Sequence, residues 1–157
     1  MTALHIAVEG DAGWVELTAG TTGDIHRFRA PDLREAARRT ASSDRPAFVD
    51  IELYLAESVP QAFAGLRRAR PGWRPGATGE TLLHAGTAAT AIGLLRDIAA
   101  VGVADGVTLR PADPSVSAAG LLDELLPALR ARGLVEVRSR GLSGTCQSPL
   151  RVSGGDK

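Results

Sequence analysis

The chain reads as α/β, with parallel strands covered by helices. Three observations predict this. Short apolar runs alternate with segments of helical period, giving the order β, α, β, α, β, α, β, α over 157 residues. Clusters of Gly, Pro and Ser separate these segments. The length suits a single domain with a core of its own, here expected over residues 1–138, followed by an irregular Ser/Gly-rich tail over 139–157. Half of a (β/α)8 barrel and a small open sheet both satisfy the order, and periodicity does not separate them.

Residues 3–8 are apolar and stop at Glu9-Gly10-Asp11, a strand followed by a turn. Residues 11–29 hold Gly13, Gly20 and Gly23 without a clear period and read as loop, with a short strand at 14–17. Residues 31–41 read as a helix: Pro31, Asp32 and Glu35 suit its start, Arg38 and Arg39 its end. Residues 47–53 alternate apolar and acidic side chains from Val49 onward, a strand pattern. Ser58 is placed to cap a helix through 61–70, with Pro60 in its first turn. After the breaker-rich stretch 71–79, residues 81–84 form a strand candidate. Thr87 then caps a helix whose apolar face is Ala91, Ile92, Leu95, Ile98 and Ala99, closed by Gly102. Residues 105–109 are the last strand. Residues 117–132 form a Leu-rich helix in which Pro127 is expected to kink the axis.

Apolar residues make up 44%, charged residues 23%, and 18 basic side chains balance 18 acidic ones. Nothing in that balance steers the chain to nucleic acid or to an anionic membrane. Aromatics at 4% leave the core to Ala, Leu, Val and Ile. Cys146 is the single cysteine, which excludes a disulfide framework within the chain and argues against a Cys-based metal site. Residues 1–20 carry Glu9, Asp11 and Glu16 and lack the basic start of a signal peptide, and no apolar run reaches membrane-spanning length. A soluble cytoplasmic protein is the expectation. His5, His26 and His84 are scattered without metal-ligand spacing and read as packed or surface residues. No dinucleotide, P-loop or nucleophile-elbow motif is present.

Three segments in order resemble the bacterial-luciferase-like flavin monooxygenase family. His84-Ala85-Gly86-Thr87-Ala88-Ala89 looks like that family's seventh strand and the start of the following helix. Ala104-Asp105-Gly106-Val107-Thr108-Leu109-Arg110-Pro111 looks like its last strand. Residues 122–134 look like its final helix, in-helix proline included. Residues 3–8 and 30–53 resemble its first strand, first helix and second strand more weakly. The resemblance implies a shortened TIM-type barrel of about four βα units, since a complete one needs about 250 residues. Four central strands would be missing, and with them much of the family's grip on FMN.

By that resemblance the chain is an FMN-dependent oxidoreductase or monooxygenase acting on a small molecule with reduced flavin. The alternative is a non-catalytic remnant that binds a ligand or oligomerises. The candidate cofactor contacts are Glu52, Gly86, Thr87 and Arg110, with no metal and no assigned catalytic residue. Glu52 stands near the carboxyl end of its strand, where barrel chemistry lies; the plain reading is a solvent-facing strand residue. Asp50, inside the strand, is the weaker of the two acids. Gly86-Thr87 opens a helix whose free N–H groups suit a phosphate, yet a Gly-Thr turn also simply joins a strand to a helix. Arg110 could meet a phosphate or carboxylate, or pair with Asp113. The helix after Gly86-Thr87 lacks the family's proline and glutamate. Two further expectations concern assembly: residues 3–8 lie beside 105–109, and exposed sheet edges favour a twofold homodimer.

Overall fold

A computed structural model describes residues 3–18, 20–21 and 23–135. The expected tail at 139–157, with Cys146, lies outside them. The elements are β1 (His5–Gly10), β2 (Gly13–Glu16), β3 (His26–Phe28), α1 (Leu33–Ala41), β4 (Ala47–Leu55), α2 (Val59–Ala69), β5 (Leu82–Gly86), α3 (Ala88–Val101), β6 (Gly106–Pro111) and α4 (Ala118–Ala131). The four βα units are therefore β3α1, β4α2, β5α3 and β6α4. They do not begin at the first strand, as the apolar pattern suggests, because residues 11–29 contain both β2 and β3 rather than mostly loop.

The helix ends follow from their caps. Asp32 accepts the Glu35 N–H at 2.7 Å, Ser58 that of Gln61, and Ser117 that of Gly120. At α3, Thr87 and Thr90 form a reciprocal capping box, and Gly102 closes the helix at φ 73°, a left-handed conformation that favours glycine. α4 runs through Pro127 as one helix.

The sheet is curled and mostly parallel, in the order β2-β1-β6-β4-β3, with β5 also on β4. β1 pairs with β6 from His5↔Gly106 to Val8↔Leu109, the adjacency expected of residues 3–8 and 105–109. β6 then pairs along β4 from Phe48↔Gly106 to Leu53↔Pro111. The opposite edge of β4 is shared: β3 takes its first half and β5 its second. Among the described residues only the β1–β2 hairpin is antiparallel. A sequentially wound barrel sets each strand beside the next; here β6 separates β1 from β4.

Strand alternation sorts the side chains onto two faces. Ile6 and Val8, Val49, Ile51 and Leu53, and Val107 and Leu109 meet Ile92, Leu95 and Ile98 of α3 and Leu121, Leu125 and Leu129 of α4 in one buried core, joined by Ala36 of α1. The buried Ala62 and Leu66 of α2 stand outside that core. The chain steps one way across the sheet from β4 to β5 and the other way from β5 to β6. Right-handed crossovers then set α2 and α3 on opposite faces. The second face carries Ala7 and Glu9, Phe48, Asp50 and Glu52, and Thr108 and Arg110. At its amino-terminal end Trp14 donates to Thr108 at 3.0 Å and meets Phe48 edge-on. Towards the carboxyl ends this face is charged.

Candidate functional site

Glu9 on β1, Arg27 and Arg29 at β3, Asp50 on β4 and Arg110 on β6 converge at that charged end. Asp50 is the centre. Its side chain is 3% exposed, and Arg27 forks onto it, Nε to Oδ1 at 2.8 Å and Nη2 to Oδ2 at 2.9 Å. Two further guanidiniums approach Oδ2: Arg29 Nε at 3.7 Å and Arg110 Nη1 at 3.9 Å. Glu9 lies between Arg27, which it contacts directly, and Arg110, whose Nε is 3.4 Å away. The Arg27 hydrogen bond holds the Glu9 carboxyl below its ordinary range despite some burial, and both carboxylates push the Arg27 guanidinium further towards the charged form.

These residues, with Phe28 and Arg39, line a groove of about 520 Å³. Across Glu9 and Arg110 it adjoins a second hollow of about 510 Å³ at the start of α4, where the acidic Asp11 and Asp113 stand. Gly10 lets α4 come this close: a Cβ there would sit 2.6 Å from that of Ala118. Arg39 is held, with Nε on Glu35, Nη1 on the Arg29 carbonyl and its guanidinium over Phe28.

The sequence-derived candidates divide. Glu52 and Arg110 are register partners across β4 and β6, yet each is engaged elsewhere. Glu52 accepts from Arg70 Nη1 at 2.7 Å, and Arg70 Nε donates to the Ala112 carbonyl, so Arg70 stitches β4 to the loop after β6. Glu52 also borders a different hollow of about 490 Å³, under Trp73 and residues 76–83. Gly86 and Thr87 lie on the far side of β4, away from Arg110. There the Thr90 N–H donates to Thr87 and the Thr87 N–H to Thr90, so these groups serve the turn itself. A Cβ on Gly86 would clash with Thr90 Oγ1, which explains that glycine.

Asp50, read as the weaker acid because it lies within the strand, is the hub. Arg27, Arg29 and Glu9 were missed. Glu9 was visible only as the end of a strand, and Arg27 sits in a three-residue strand without alternation. Of the alternatives for Arg110, the pairing with Asp113 is not formed: the Asp113 carboxylate accepts from the Ser115 N–H and hydroxyl.

The histidines make local contacts. His5 and Thr21 meet the Glu16 carboxylate, which ties the β1–β2 hairpin to the following loop. His26 stacks on Phe28, and His84 contacts Thr90, with burial lowering its basicity. Among the described residues no group of His, Cys, Asp and Glu could hold a metal ion, and no helix is long and apolar enough to cross a membrane. No protein-family model and no curated protein matches this sequence.

Proposed function

We propose that this chain is a binding and self-associating module on a shortened, luciferase-like (β/α) framework, taking a small anionic ligand at the carboxyl ends of β1, β6 and β4. One observation carries the reading. Three guanidiniums, Arg27, Arg29 and Arg110, surround only two carboxylates, Glu9 and Asp50, along an open groove. A volume near 520 Å³ suits a small-molecule site.

FMN needs a cationic cradle for its phosphate and a broad apolar wall for its ring. Arg29 and Arg110 suit the first. The groove lacks the second: Phe28 is the one aromatic residue lining it, is 7% exposed and lies under the Arg39 guanidinium. Gly86 and Thr87 belong to another edge of the sheet. The full flavin oxidoreductase, working with reduced flavin on a small substrate, is the second reading. It is supported by the resemblance of residues 84–89, 104–111 and 122–134 and by the pairing of β1 with β6. The position of β6 between β1 and β4 weighs against it.

Self-association is supported by β2, the outer strand of the sheet, whose Val15 is 54% exposed beside an apolar hollow of about 370 Å³. The functional test is titration with FMN and with riboflavin, followed by flavin fluorescence, then oxygen uptake with reduced FMN. Weak, phosphate-dependent binding without oxygen uptake is expected. Tight binding of both flavins with turnover would replace the module with the oxidoreductase.

A further inference from the structure

The charged cluster holds an internal stand-in for its ligand. Arg27 makes short contacts to Asp50 and Glu9 through Nε and Nη2. Arg29 and Arg110 do not: their nearest carboxylate oxygens lie at 3.4–3.9 Å, beyond good hydrogen-bond distance for N–H···O. Each presents a planar fork of donors suited to an oxyanion, and both stand within 4 Å of the same Asp50 oxygen. Asp50 is walled in, whereas the Glu9 side chain is 34% exposed at the groove rim and can swing out.

We propose that the groove binds a phosphate monoester group between Arg29 and Arg110, and that this dianion displaces the Glu9 carboxylate. Charge balance selects the class. With Glu9 in place, and Arg39 engaged by Glu35, three guanidiniums face two carboxylates and one positive charge remains. With Glu9 displaced, the three face Asp50 and a dianion, and the cluster is neutral. The adjoining hollow at the start of α4 is the poorer seat, because Asp11 and Asp113 line it. This inference rests on the anion-binding reading of the groove and adds the ligand class and the competing carboxylate.

The test is calorimetric titration of the whole chain with methyl phosphate at about pH 7.5, where a phosphate monoester carries close to two negative charges. Arginine Nε–Hε NMR signals are followed in parallel. Removing a like charge from the seat should tighten binding, so Glu9→Gln is expected to bind about tenfold more tightly. Arg29→Gln and Arg110→Gln should each bind about tenfold more weakly. Glu9→Asp, which keeps the charge, should bind like the parent and so controls for a general loosening of the rim. Methyl phosphate binding that Glu9→Gln leaves unchanged or weakens would overturn the inference while leaving the groove reading intact. So would the absence of methyl phosphate and FMN binding to Glu9→Gln, provided succinate still moves the Arg29 and Arg110 signals. If no anion moves those signals in any variant, the groove reading itself falls.

Discussion

Arg27 forks onto Asp50 across the β3–β4 pair, with both of its contacts inside 3 Å and the carboxylate almost wholly out of water. This pairing ties the three-residue β3 to β4, together with the β3–β4 ladder and the buried Phe28. Removing one partner leaves a buried charge with poorer company. Arg27→Leu should therefore destabilise the fold by about 3 kcal/mol, and the double change with Asp50→Leu should recover part of that loss. Urea titration decides it. A single-variant loss below about 0.5 kcal/mol would mean that Arg29 and Arg110 compensate fully.

Gly106 opens β6 where Phe48 lies across it. A Cβ on Gly106 would stand 2.4 Å from the Phe48 ring, and the ring is fully buried. Gly106→Ala should cost roughly 1–3 kcal/mol by overpacking, and Phe48→Leu in the same chain should relieve it. If the double variant is no better than the sum of the two, the ring is not the obstacle.

Leu125 is fully buried against the sheet, while Leu122 on the same helix is only partly so. Leu125→Ala should cost roughly 2–5 kcal/mol and Leu122→Ala clearly less. Losses of similar size would show that α4 is rotated from the orientation described.

Acid should loosen the protein through Glu9 and Glu16. The Arg27 hydrogen bond depresses Glu9. At Glu16 burial pushes upward, but the Thr21 N–H, the Thr18 and Thr21 hydroxyls and His5 outweigh it. Both carboxyls in the folded chain thus ionise below the ordinary 4.5. The unfolded chain takes up these protons first, so their stabilisation is present above that value and is lost as the pH falls through the lowered ones. The Glu9→Gln, Glu16→Gln double variant should show a shallower fall in unfolding midpoint between about pH 5 and pH 3. An unchanged slope would assign the acid sensitivity to other carboxyls.

The helices were legible because they rest on local signals: caps at Ser58 and Thr87, acidic and basic ends at α1, and apolar stripes read directly from spacing. The β1–β6 pairing was expected from the barrel resemblance, in which the first and last strands are neighbours. What was not legible depends on contacts between segments remote in sequence. β3 is tied to β4 by Arg27 and Asp50, 23 residues apart. The placement of β6 between β1 and β4 is a choice of strand order that periodicity does not encode. Arg110 was found because it ends the run that resembles the family's last strand, whereas Glu9 ended a strand without such a motif and Arg27 sat in a stretch read as loop. Asp50 was undervalued because it lies inside the strand rather than at its end, and the strand pattern does not say that three arginines meet it there.

The last prediction concerns assembly. β2 lies at the edge of the sheet, and among the described residues no strand pairs with its outer side. It is four residues long and carries Val15 in the open. Beside it Val8, Leu17, Ala118 and Leu122 line the apolar hollow. An unpaired edge next to an apolar surface invites a further strand. With no net charge to keep copies apart, a second copy is a ready source of one. Antiparallel pairing of β2 with its own copy is self-complementary, as a twofold contact requires, and brings the two Val15 side chains together. Light scattering at micromolar concentration should give twice the 16.3 kDa chain mass. Val15→Lys should return the monomer without unfolding it, because the side chain is already half in water. A parent protein that scatters as a monomer sinks the dimer. A dimer that survives Val15→Lys moves the interface away from β2.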